Sequence, residues 1–205
     1  MIIFVHNPKC AGTSIREILL RQINFINPWI DYTCTWDRYN LQGADIRHDA
    51  DFICGHIHAK SFMETFPDNF IFTWMRCPTE RISSLYNHIT QKPNADGNPQ
   101  SQVVIDQRIC FDDFIDLEWT WNYSMNFLGG TNPESFSHIG FCDKFEHSLC
   151  DLSQKIGFPR NFLKPIVENK SCSEFSLTAD QISRILSKND EEYAFYKTAR
   201  KLFVH

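Results

Sequence analysis

No apolar run in the sequence approaches the roughly 20 residues a membrane-spanning helix needs. Nor does a basic segment followed by an apolar stretch open the chain, because Met1 leads straight into a short apolar run. These absences predict a cytoplasmic protein with no signal peptide and no membrane span. Cysteine is present eight times, yet never as a C-x-x-C pair, so free thiols acting as small hydrophobes are expected. Two clusters, Cys54-x-His56-x-His58 and Cys142 with His147 and Cys150, lack the paired spacing of zinc ligands, and no metal is expected. Basic residues are outnumbered 20 to 25, giving a formal charge of −5. That balance argues against nucleic acid or a long polyanion as partner, although it does not exclude one local basic cleft. Heptads and internal repeats are also missing, so the oligomeric state is not legible.

What is present suits one soluble domain spanning 1–205, large enough to bury a full core. Residues 2–5 form a continuous apolar run, the pattern of a strand buried on both faces. A helix over 12–22 follows, with Ile15, Ile18 and Leu19 on one side. Residues 24–50 look irregular. Strands are expected at 51–55 and 70–75, and Pro78 then opens a helix carrying Ile82, Leu85, Tyr86 and Ile89. The polar stretch 91–102 reads as a long loop, either disordered or a lid on the acceptor side. Short helices at 111–118 and 122–128, a strand at 137–142 and a helix at 146–156 come next. Thr178 and Gln181 form a capping box before a further helix, and a last helix covers 190–203. Alternating strands and helices predict an α/β fold: a P-loop-like three-layer arrangement with a small, mainly parallel sheet flanked by helices.

The stretch HNPKCAGTS at 6–14 joins the first strand to the first helix. A helix N-terminus at the end of a buried strand offers unpaired backbone N–H groups and a positive dipole end to an anion. Gly12 permits close approach, Thr13 and Ser14 add hydroxyls, and Lys9 adds a point charge. The plain alternative is a capped helix with a solvent-facing lysine; the strand-loop-helix setting favours the anion site. Lys9 precedes the glycine, so the loop is not a Walker A motif, which places lysine just before the hydroxyl residue. The strand at 70–75 ends in Arg76 where a metal-dependent phosphoryl-transfer enzyme would want an acid. Arg76 suits a second anionic group, with Ser84 about two helical turns beyond it. Arg81, Ser84 and His88 are expected on one helix face. The alternative for Arg76 is an ion pair with Glu80 or another acid.

Taken together the two motifs resemble those of sulfotransferases that use 3′-phosphoadenosine 5′-phosphosulfate (PAPS), most closely the branch that includes heparan-sulfate 2-O-sulfotransferases. The first matches an H-x-P-K-T-x-G-T-S loop, with Cys10 where threonine is commoner. The second matches R-x-P-x-E-R-x-x-S-x-Y-N at Arg76, Pro78, Glu80, Arg81, Ser84, Tyr86 and Asn87. Weaker likenesses lie in YSMNFL at 123–128, GFCDKFE at 140–146 and Asn169-Lys170-Ser171. The resemblance implies that Lys9, Ala11, Gly12, Thr13 and Ser14 hold the 5′-phosphosulfate, that Arg76 and Ser84 bind the 3′-phosphate, and that Lys170 and Ser171 complete the donor site.

On the acceptor side the same branch carries H-G-H, matched here by Cys54-Gly55-His56. The resemblance implies His56 as the general base, with Cys54 in place of a second histidine. His58 reads either as a helper or as simply exposed. The implied activity is transfer of a sulfuryl group from PAPS to a hydroxyl of a glycan, small metabolite or peptide, with Lys9 and His56 catalytic and no metal. A PAP- or PAPS-binding module without transfer activity, and a P-loop-type small-molecule kinase, are the competing readings. Tryptophans such as Trp29, Trp36, Trp119 and Trp121 suit either stacking on sugar rings or ordinary packing.

Overall fold

The computed structural model describes residues 1–31, 49–91, 98–165 and 176–204. Among the described residues five parallel strands form one sheet: β1 (Ile2–Val5), β2 (Pro28–Asp31), β3 (Phe52–Gly55), β4 (Phe70–Met75) and β5 (His138–Phe141), in the order β2-β3-β1-β4-β5. The helices are α1 (Gly12–Gln22), α2 (Ala59–Thr65), α3 (Pro78–Gln91), α4 (Pro99–Asp106), α5 (Phe111–Phe114), α6 (Met125–Leu128), α7 (Phe145–Lys155), α8 (Ala179–Lys188) and α9 (Asp190–Phe203). The expected α/β fold with a parallel sheet between helical layers is therefore the observed one.

Strand alternation builds two apolar layers. Phe4, Phe52, Phe72 and Trp74 face Ile15, Ile18 and Leu19 of α1 and Leu149 and Leu152 of α7. Their neighbours Ile3, Val5, Ile53, Ile71 and Met75 turn the other way, toward Phe62 of α2, Phe127 and Leu128 of α6, and Phe195 and Ala199 of α9. Residues buried on both sides read as unbroken apolar runs, which is why β1 and β4 are visible in the sequence. A further cluster joins Ile82, Leu85 and Ile89 of α3 to Val104, Phe114 and Ile185. Gly140 is required on β5, since a Cβ there would lie 2.4 Å from the Trp74 ring.

Three elements depart from expectation. The stretch 24–50 contains β2, an edge strand whose opening Pro28 is tolerated because no donor is needed on that side. α2 carries too short a pattern to announce itself. α4 starts inside the stretch read as a loop, where the Asn98 side chain accepts from the Gln100 amide at 2.9 Å and Pro99 takes the first turn. Residues 92–97 lie outside the described residues.

His138 is buried between the rings of Trp74 and Phe203, at 5.8 and 6.1 Å. Burial, reinforced by the nearby Lys155 cation, lowers its pKa to about 3. Below pH 6.5 the unfolded imidazole takes up a proton that the native one refuses, so stability is full above that pH and falls as acid is added. At pH 5 the loss from this residue alone is about 2 kcal/mol. Melting temperature should therefore decline from pH 7 to pH 5, and His138→Phe should flatten that decline.

Candidate active site

The sheet's register sets the site. Val5 lies opposite Gly55 on one side and Thr73 on the other, so the ends of β1, β3 and β4 share one edge. From β1 the chain leaves through α1 toward β2, whereas from β4 it leaves through α3 toward β5 on the opposite flank. Neighbouring strands whose connections diverge open a crevice at their carboxyl ends, the usual ligand position in such sheets. Residues 6–11 and Arg76 both stand at that crevice.

The loop is pinned by its own side chains and backbone. The His6 amide donates to the Gly55 carbonyl at 2.9 Å, and Thr73 Oγ1 donates to the Val5 carbonyl at 2.9 Å. Asn7 Nδ2 reaches the Trp74 carbonyl at 3.4 Å, tying the loop to β4. Lys9 and Ala11 both take left-handed backbone conformations, φ 63° and 60°, which non-glycine residues adopt at a cost and usually where function demands it. Ala11 is the N-cap of α1 and offers no side-chain acceptor, and no acid sits in the first turn. The amides of Gly12, Thr13 and Ser14 thus have no partner within their own helix and face an unneutralised dipole. Gly12 is buried, Ser14 half-buried and Thr13 exposed. Cys10, the odd residue of the motif, is fully buried in the α1-side core, and burial pushes its thiol well up.

Arg76 follows β4 and is half-buried, its guanidinium against the Cys142 thiol with Cys10 and Glu80 nearby. Its Nε is buried without a hydrogen-bond partner. A buried donor left unpaired is costly and marks a place where an acceptor atom is welcome. Ser84 is half-buried on α3, two turns on. Of the α3 face expected to carry Arg81, Ser84 and His88, the Arg81 part turns inward while the other two are half-buried. Arg81 is fully buried, donating from Nε to Glu192 Oε1 at 2.6 Å and from Nη2 to Asn189 Oδ1 at 3.2 Å and the Thr120 carbonyl at 3.3 Å. Glu192 also accepts from the Ser124 amide and hydroxyl, at 3.1 and 2.9 Å. The conspicuous arginine and the YS pair at 123–124 are one structural clamp, not a ligand surface.

At the end of β3, His56 is held at pKa about 4 by burial and is neutral at pH 7, the form a base requires. Its ring lies edge-on to His6, centroids 4.5 Å apart, and 5.8 Å from Phe127. His6 is the residue the sequence undervalued; its pKa is lowered by burial, then by His56, Arg16 and Lys9. Cys54 is a core residue facing Phe4 and α1. His58 stands at the N-cap position of α2 and is half-buried. Lys170, Ser171 and Trp36 lie outside the described residues. Trp119 packs between two core clusters, and Trp121 donates its Nε1 to the Ile115 carbonyl at 3.0 Å, so both are engaged in packing. Among the described residues no group of three or more His, Cys, Asp or Glu side chains is placed to hold a metal ion, and no helix is long and apolar enough to cross a membrane.

No protein-family model and no curated protein matches the sequence. Among solved structures, mouse sulfotransferase SULT7A1 complexed with PAP aligns with a TM-score of 0.47 at 12% identity, over 97% of this chain and 88% of that one.

Proposed function

We propose that the chain is a sulfotransferase that moves a sulfuryl group from PAPS to a hydroxyl-bearing acceptor. One observation supports the reading: the Lys9 loop and Arg76 follow the adjacent strands β1 and β4, and Arg76 Nε is buried without a hydrogen-bond partner. Two anion-binding groups on adjacent strands suit a donor with phosphate at both its 3′ and 5′ positions. The amides of residues 12–14, with Lys9, would take the 5′ side; Arg76 and Ser84 would take the 3′-phosphate. The donor supplies the activated sulfur. His56, neutral and at the neighbouring strand end, would accept the acceptor's hydroxyl proton as the new O–S bond forms. Lys9 would neutralise charge gathering on the departing phosphate oxygen, with fixed amides sharing that load without reorganisation.

The test is binding before turnover. Calorimetry should detect PAP without added metal, and Arg76→Ala should weaken it about 10- to 100-fold, the worth of a charge-assisted hydrogen-bonded contact. Unchanged PAP affinity in that variant removes the 3′-phosphate assignment. Stabilisation by ATP with Mg²⁺ but not by PAP would overturn the sulfotransferase reading in favour of a kinase.

A further inference from the structure

We propose that His6 is the second imidazole of this site, a positioning residue that seats the His56 ring against the donor loop. The proposal deepens the sulfotransferase reading and rests on it. A two-histidine centre built on β3 would use position 54, but that side chain is a cysteine fully buried in the apolar core with Phe4, Ile15 and Leu19. The structure supplies the second ring from β1 instead.

His6 is fixed on three sides. Its ring stacks on Phe4, centroids 5.6 Å apart and planes 12° from parallel. It fills the space a side chain at 12 would need, for a Cβ on Gly12 would fall 1.8 Å from His6 Cδ2 and 1.9 Å from Nε2. Its remaining side meets His56 edge-on at 4.5 Å. Gly12 is thereby explained twice over, by anion approach and by the imidazole it must admit. The ring thus joins the first residue of the anion-facing helix to the proposed base, and a displacement of one is passed to the other.

Burial first, and then the surrounding charges, decide which ring takes the proton. Arg16 of α1 and Lys9 of the loop face His6, and His56 is its third potential cation; Arg16 in turn holds Glu17 at 2.7 Å. Phe127 is a second ring beside His56, its centroid 5.8 Å away. Two imidazolium rings at this separation repel, so the pair holds one proton at most. With two fixed cations beside it, His6 stays neutral while His56 accepts the proton. A neutral imidazole can accept a hydrogen bond from that imidazolium, and a phenyl ring has no such acceptor.

The experiment is a pH titration of the whole protein labelled with ¹⁵N in its histidine rings, signals being assigned with His56→Gln and His6→Phe. In the unsubstituted protein the His6 signal should inflect at the His56 midpoint, and added PAP should move both. His6→Phe should lower the His56 midpoint by about half a pH unit or more and abolish its response to PAP. A His56 midpoint unmoved in folded His6→Phe, or a His6 signal with no inflection there in the unsubstituted protein, overturns the proposal. The second measurement needs no variant and decides the matter if His6→Phe does not fold. Failure of PAP to bind at all would instead sink the parent reading, since coupling between the two rings is measured without it.

Discussion

Arg81→Met is expected to destabilise the protein by about 3–5 kcal/mol, the cost of leaving a buried charge without its partner. For a chain of this size that is roughly 6–20 °C in melting temperature. Both Arg81 and Glu192 are wholly inaccessible to water, and their 2.6 Å contact joins α3 to α9 across 111 positions. Removing the guanidinium leaves Glu192 with only the Ser124 donors and strips Asn189 Oδ1 and the Thr120 carbonyl of a shared partner. The consequences extend to the site, because α3 carries Ser84 and begins two residues after Arg76. Glu192→Gln should cost a comparable amount, since it leaves the buried Arg81 guanidinium without an anionic partner. Arg81→Met with Glu192→Leu should recover part of the loss but not all, because the Ser124 amide then goes unpaired. Denaturant midpoints for the three variants measure this, and an Arg81→Met midpoint equal to that of the unsubstituted protein would show that the clamp carries no stability.

This clamp also shows where sequence reasoning stops. β1, α1, β4 and α9 are legible because their signals are local: an unbroken apolar run, a 3.6-residue stripe, a proline in a first turn. The loop between β1 and α1 is legible for the same reason, since its motif lies within nine consecutive positions. Spacing alone, however, puts Arg81, Ser84 and His88 on one face of α3. Which part of that face turns inward depends on Glu192, 111 residues away. The His6–His56 contact is likewise invisible, because neighbourhood of β1 and β3 is a property of strand order. β2 escapes notice through its shortness and its opening proline, and α4 through the polar stretch before it, although Asn98-Pro99 is a recognisable start signal. Pairing between distant segments is decided by packing, which a linear pattern records only in part.

Under the sulfotransferase reading, Lys9→Gly should abolish nearly all sulfuryl transfer while leaving the fold intact or slightly firmer. The two effects separate because of backbone geometry. Lys9 sits at φ 63°, where a β-carbon crowds the chain and glycine does not. Glycine at this position therefore relieves strain of about 1 kcal/mol even as it removes the ammonium group. Under the sulfotransferase reading that ammonium meets charge that grows only as the bond to the donor breaks, so its loss should fall on kcat. Removing one such preorganised group typically slows reaction by about 10²- to 10³-fold. Lys9→Ala should be as slow but less stable, because alanine keeps the β-carbon. Lys9→Arg should restore little, a planar fork being a poor substitute for a compact point charge inside a tight loop. The measurements are transfer of ³⁵S from labelled PAPS to the best acceptor found by screening, beside the melting temperature of each variant. A Lys9→Gly protein that melts no lower and transfers at the unsubstituted rate would remove Lys9 from the chemistry and leave its left-handed conformation without a functional reason.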